Sequence, residues 1–208
     1  MPNDILTSIH GNRIGLDVNN DLIVGGVQIS DVTAPAGAKN GITITAVELS
    51  GSTRKIKLTC TATPLVLTDD PGTVVYGGVK VYDFPEGMLC FMGGVIDGSI
   101  TGVDVSATFE GEVSLATNVA GGDAALLGNE ADLVQATDLT TAVAKVANCD
   151  AVSIATALTE SGARWHDGTT TPVDMYLNFV IDEDAANATS TGSFTGTIEF
   201  AYLMLGDN

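Results

Sequence analysis

In TRKIKLTCT (53–61) the residues Ile56, Leu58 and Cys60 fall on alternate positions. The same period of two runs through ITITAVEL (42–49), VDMYLNFVID (173–182) and SFTGTIEFAYLML (193–205). Successive side chains on a strand leave opposite faces, so this spacing buries one row and gives the other to solvent, which a helix of the same sequence could not do. The runs are short and end in glycine, proline, asparagine or aspartate, the residues that supply the φ values and local hydrogen bonds of tight turns. With 24 glycines and charged residues at only 16% of the chain, long surface helices have little to build on. An all-β class follows. Hydrophobic residues make up 45% and mean hydropathy is +0.28, which excludes wholesale disorder despite a formal charge of −18.

At 208 residues the chain is long enough for one large all-β domain, or a smaller one with an arm. Residues 1–40 differ from the rest. In IHGNRIGLDVNNDLIVGGVQI short apolar pairs alternate around glycine and asparagine turns, and DVTAPAGAKN (31–40) is small, polar and proline-containing, as a linker is. The spacing therefore predicts an extended N-terminal arm and linker over 1–40 and a body over 41–208. In the body, 42–49 and 53–61 read as a hairpin about Ser50-Gly51-Ser52, with Arg54, Lys55, Lys57 and Thr59 giving it a basic side. Asp69-Asp70-Pro71-Gly72 reads as a turn.

Three more strand regions follow, over 73–84, 87–96 and 99–117, with Gly77-Gly78 splitting the first and a bend or bulge at Gly102 or Gly111 in the last. One helix is expected within 121–148: Thr137 or Asp138 caps it, and Leu139, Ala142, Val143, Val146 and Ala147 line one face. AVSIATAL (151–158) reads as strand, and 173–182 and 193–205 as a closing hairpin with a long polar loop. Roughly eight strands with one short inserted helix suggest an antiparallel β-sandwich of jelly-roll type. No repeat of a fixed period is visible, which disfavours a solenoid or propeller.

Charge is distributed unevenly along the chain. Residues 1–80 hold six basic side chains, Arg13, Lys39, Arg54, Lys55, Lys57 and Lys80, against seven acids, while 81–208 hold only Lys145 and Arg164 against nineteen. One part of such a molecule can approach other surfaces and the other repels its own copies and every polyanion. Nucleic acid is disfavoured as a partner for that reason, and no run of about 20 apolar residues offers a membrane span. Met1-Pro2-Asn3-Asp4 does not open like a secretory signal, so synthesis in the cytoplasm without export is expected. Cys60, Cys90 and Cys149 are far apart and odd in number, which argues for free, mostly buried thiols over a disulfide framework or a zinc site.

Candidates for chemistry are few. His10 and His166 have no second histidine or cysteine at ligand spacing. A distant serine or cysteine could use His166 as a base, but the simpler account of Arg164-Trp165-His166-Asp167 is a turn cluster in which Trp165 anchors a loop to the core. Glu110 and Glu112, with Asp104 nearby, share a strand face at a spacing near that of a retaining glycosidase pair. Their small aliphatic flanks and the 5% aromatic content favour a solvated acidic face. Asp17-Val18-Asn19-Asn20-Asp21 begins like a calcium loop, yet Leu22 stands where that loop needs glycine and Gln28 where it needs glutamate. Asp182-Glu183-Asp184 reads as a charged loop tip, and Asn187-Ala188-Thr189 is a glycosylation pattern that means little without a secretory route. No catalytic residue, metal site or cofactor is assigned. Arg13, Arg54, Lys55 and Lys57 are the residues best suited to dock an acidic partner.

The two ends carry a resemblance. TSIHGNRIGLDVNNDLIV (7–24) resembles the N-terminal arms of virion proteins from tailed bacteriophages, and STGSFTGTIEFAYLMLGDN (190–208) is similar to the closing strand of phage structural proteins built as β-sandwiches. The resemblance covers about forty residues of the chain and implies a non-enzymatic virion protein. That protein would be a capsid decoration or cement protein bound to the major capsid protein or another virion protein, a homo-oligomer, taken as a trimer, with no catalytic residues. The competing expectation is a carbohydrate-binding or host-adhesion sandwich with aromatic side chains gathered on one loop face about Trp165 or Tyr176. A hydrolase using Glu110, Glu112 or His166 is the third.

Overall fold

Alternating sequence becomes strand almost everywhere it occurs. The structure, a computed structural model, describes residues 6–7, 13–16, 22–24, 27–28, 41–50, 53–70, 74–103, 110–122, 125–143, 146–149, 151–152, 165–182 and 190–206. In the first forty residues β1 (Leu6–Thr7), β2 (Arg13–Leu16), β3 (Leu22–Val24) and β4 (Val27–Gln28) pair in chain order as an antiparallel sheet of their own. The body continues with β5 (Ile42–Ser50), β6 (Thr53–Leu65), β7 (Leu67–Asp70), β8 (Val74–Asp83), β9 (Gly87–Val103) and β10 (Gly111–Ala116). After these come β11 (Val134–Asp138), β12 (Thr140–Val143), β13 (Val146–Asn148), β14 (Ala151–Val152), β15 (Trp165–Gly168), β16 (Asp174–Asp182) and β17 (Thr191–Gly206).

These strands make two antiparallel sheets. One has the order β11-β10-β16-β8-β7; the other has the order β12-β13-β9-β17-β6-β5, with β14 and β15 also lying along β9. Ile56, Leu58, Ile96, Ile100, Phe194 and Ile198 from the larger sheet close on Val75, Val81, Leu115, Leu177, Phe179 and Ile181 from the smaller, all almost fully buried in a common core. Each such side chain contributes about 1.5–3 kcal/mol of transfer free energy, so the inward rows hold the sheets together. The fold is an all-β sandwich, as the alternation predicts. The strand orders do not establish the jelly-roll winding.

At one end the core is aromatic. Tyr82 and Phe84 meet Phe200 and Tyr202 edge-on or tilted, with centroids 5.0–6.3 Å apart, and Phe91 stacks on Phe200 at 6.4 Å. Such pairs add about 0.5–1.5 kcal/mol each beyond their buried area.

The smaller sheet is covered on its other side too. Residues 117–122 and 125–133 cross the outer face of β10 and β16, where Ala120 and Leu126 pack on Val74 and Val180. Asn178 holds this cover: its Oδ1 accepts from the Ala120 amide at 3.1 Å, and its Nδ2 donates to the Asn118 and Glu130 carbonyls at 2.7 and 3.0 Å. The run Leu177 to Ile181 is buried without interruption for this reason, and its alternation is visible only in the polar Asn178.

Several expectations are corrected. No helix occupies 137–147 among the described residues: β11, β12 and β13 lie there, and the helical structure described within 121–148 is a 3-10 turn at Gly128–Glu130. The apolar residues at helical spacing are divided between β12 and β13, which pair Thr140 with Asn148 and Thr141 with Ala147, and the threonines and valines favour the strand. The closing pair is not a hairpin. Both edges of β16 are taken by β10 and β8, and both edges of β17 by β6 and β9, so the two strands sit in opposite sheets.

Gly77-Gly78 does not split β8; a Cβ on Gly77 would run into the Val66 carbonyl, so the pair permits close approach of β7 and its lead-in. The regions 87–96 and 99–117 are redivided: β9 spans both their junction and Gly102, and β10 belongs to the other sheet. The hairpin of β5 and β6 forms as expected, and β7 pairs with β8 as far as Asp70↔Val74; of the expected turn, Pro71 and Gly72 lie outside the described residues. Of 151–158, residues 151–152 are strand and the remainder lies outside the described residues.

Candidate interaction surface

Strand β6 positions the basic residues, and alternation separates them. Arg54 falls on the inward side with Ile56, beside the two tyrosines of the aromatic end, whereas Lys55 and Lys57 face outward. Burial pushes the Tyr202 hydroxyl above its ordinary pKa range, and the hydrogen bond with Tyr82 and the charge and hydrogen bond of Arg54 work against it. Arg54 is thus part of the packing of the core rim. Outside, the Lys57 Nζ lies 2.6 Å from the Glu199 Oε1 and Lys55 Nζ 3.9 Å from Oε2, across the register Glu199↔Lys57. The hydrogen bond from Lys57 holds the Glu199 carboxyl below the usual range. Arg13 lies on β2 opposite Thr7 in β1, and its side chain is outside the described residues.

The same outer face carries apolar side chains. Register aligns Trp165, Cys90, Leu203 and Thr53 in one row across β15, β9, β17 and β6. Beside this row Met92 is the extra residue of a bulge in β9, and Val95 stands opposite Glu199. Trp165 is 52% exposed, Met92 55% and Val95 39%. Trp165 therefore does not anchor a loop to the core: WHDG is a strand whose inward residues are His166 and Gly168 and whose outward residues are Trp165 and Asp167. His166 Nε2 is buried with no hydrogen-bond partner. The nearby Asp132 is pushed up by burial, against hydrogen bonds from the Thr117 hydroxyl and amide and the charge of His166.

Other candidate residues are dispersed. Glu110 is exposed, while Glu112 Oε2 accepts from the Leu126 amide at 2.8 Å and so fastens the cover of the smaller sheet. Asp182 ends β16, and Trp165 and Tyr176 lie on opposite sheets. His10, Asp17 to Asp21, Asp104, Arg164, Glu183, Asp184 and Asn187 are outside the described residues. Among the described residues no three of His, Cys, Asp and Glu come together as a metal ion requires. None of the described helical structure is long and apolar enough to cross a membrane.

A polar cluster escaped the reading of the sequence. Lys80 bridges Asp83 and Asp174, the latter at 2.8 Å, and the Tyr176 hydroxyl donates to Asp174 at 3.1 Å. Burial, and the hydrogen bond with Asp174, leave the Asp83 carboxyl above its usual range. At Asp174 burial is outweighed by hydrogen bonds with Asp83, Lys80 and Tyr176, and the carboxyl lies below it. Asp174 and Tyr176 stand at alternate positions in VDMY, but Lys80 and Asp83 are three apart in VKVYD and share a side through a register shift, and nothing local says that β8 and β16 are neighbours.

The charge asymmetry belongs to the sheets. Strands of the smaller sheet carry seven acids, Asp69, Asp70, Asp83, Glu112, Asp138, Asp174 and Asp182, against Lys80. Strands of the larger sheet carry Glu48, Asp97, Asp167 and Glu199 against Arg54, Lys55 and Lys57, a near balance. The larger sheet is the approachable side of this body. Compared with protein families, with curated proteins and with solved structures, the chain matches none.

Proposed function

We propose that this chain is a non-enzymatic structural component of a virion, a capsid-associated decoration or cement protein. It docks through its N-terminal arm and the Lys55 and Lys57 side of the β5–β6 hairpin, and it turns the side of the acidic smaller sheet, with the chain that covers it, to solvent. The observation that carries this reading is the partition of charge between the sheets: the strands of one are nearly balanced and its outer side is partly apolar, while those of the other hold seven acids against one lysine and repel acidic surfaces and copies of the chain. An exposed ion-paired lysine row gives little static stability but favours encounter with an acidic surface. The partner is the major capsid protein or another virion protein, reached without export from the host cytoplasm.

The test uses particles of a phage that encodes the chain, stripped of it and then mixed with purified protein. Full-length chain is expected to rebind and sediment with the particles. A chain lacking residues 1–40 and carrying Lys55→Glu and Lys57→Glu should bind at least about tenfold more weakly. Equal rebinding by that variant, or particles that never contained the chain, would overturn the reading.

A further inference from the structure

The β9–β15 end of the larger sheet offers something the docking of a basic hairpin does not use. Trp165, Met92 and Val95 are large apolar side chains standing in solvent on one face, with Cys90 and Leu203 half-buried in the same row as Trp165. Single exposed apolar residues are ordinary, but several gathered on one face of a sheet mark an interaction site. Trp165, at the β15 end of this group, is of the residue type that most often dominates an interface.

We propose that this strip is where a second copy of the chain docks, the β9–β15 end of one larger sheet against that of the other, with the β5–β6 hairpin at the edge of the contact. The choice of occupant follows from charge. The rim of the strip holds both signs, Lys55 and Lys57 with Glu199 on one flank and Asp97 and Asp167 along β9 and β15. A strongly basic partner would be drawn to the smaller sheet with its seven acids, and an acidic partner to the hairpin and arm. A surface that is apolar at its centre and mixed at its rim is complementary to itself, as an isologous pairing requires. Copies of a chain with net charge −18 repel one another on the remaining described faces, so the near-neutral sheet is where they can approach.

The chain contains one tryptophan, so its fluorescence reports this strip alone. Sedimentation mass and Trp165 emission are followed together as the full chain is diluted from hundreds of micromolar to below one micromolar. The expected result is twice the monomer mass at high concentration, with emission shifting to the red as dilution exposes Trp165. Val95→Asp should weaken assembly about tenfold or more, with an unchanged far-ultraviolet spectrum. Lys55→Glu, a surface change that leaves the apolar strip intact, should weaken it less. A monomer throughout, an emission that ignores dilution, or Val95→Asp protein that folds and assembles like the parent would each overturn the proposal. Binding to the capsid is measured separately and does not depend on this outcome.

Discussion

The Tyr82 hydroxyl lies 3.1 Å from the Tyr202 hydroxyl, inside the core, with one ring on each sheet. Tyr202 also has Arg54 beside it. Tyr202→Phe therefore leaves the Tyr82 hydroxyl buried without its partner and should cost about 1–3 kcal/mol. Tyr82→Phe leaves Tyr202 with Arg54 and should cost less. Urea denaturation of both variants checks the order, and a reversed order would contradict the geometry.

The same pair sets a response to alkali. Burial pushes both hydroxyls above their ordinary pKa, so each stays protonated in the folded state when the unfolded phenol ionises at about pH 10. The unfolded state then binds fewer protons, and stability present below that pH falls as pH rises, with a limiting slope of about 1.4 kcal/mol per unit for each tyrosine. The Tyr82→Phe, Tyr202→Phe double variant should show a shallower loss between pH 10 and 11. Equal slopes would argue against burial of these hydroxyls.

Asn178 makes three hydrogen bonds to the chain covering the smaller sheet. Asn178→Ala should cost about 2–4 kcal/mol and raise hydrogen exchange at Ala120 and its neighbours before the strands beneath are affected. A uniform rise across β8 and β16 would mean that the cover is not held locally.

Ala62 has φ of 48° at the bulge where β6 shifts register against β17, and it is exposed. A Cβ in that conformation is strained, so Ala62→Gly should raise stability by about 0.5–1 kcal/mol. Thermal unfolding is the check; a loss of stability would show that the residue is not in this conformation.

Burial pushes the Cys60 thiol up to about 11, against a hydrogen bond with Thr63, and Cys149 is also buried, while Cys90 is half-exposed. In native protein a thiol reagent at pH 8 should label Cys90 first, and Cys60 and Cys149 only on unfolding. Labelling of Cys60 at the rate of Cys90 would sink the assignment.

Asp83 stands directly opposite Asp174, with Lys80 between them. Asp83→Asn removes a like-charge repulsion along with an ion pair and should change stability by less than about 0.5 kcal/mol at neutral pH, whereas Lys80→Met leaves the two carboxylates facing and should cost about 1 kcal/mol. Comparable losses in both variants, measured by denaturation, would show that the repulsion is unimportant.

Alternation by itself determined the strand class, the inward row Ile56, Leu58 and Cys60, and the outward direction of Lys55 and Lys57, because side-chain direction on a strand depends only on position in the chain. Arg54, read with the two lysines as one basic side, instead shares the parity of Ile56 and lies inward beside the tyrosine pair, which only the packed structure shows. Which strands become neighbours was decided by the tertiary structure, because ladder hydrogen bonds are the same for every pair of backbones and the choice depends on distant residues. That is why 173–182 and 193–205 looked like a hairpin and lie in opposite sheets, and why the apolar spacing that looked helical belongs in part to the paired strands β12 and β13. It is also why charge that seemed divided along the chain is divided between two faces, with Trp165 brought out beside Cys90 and Leu203 on the nearly neutral one.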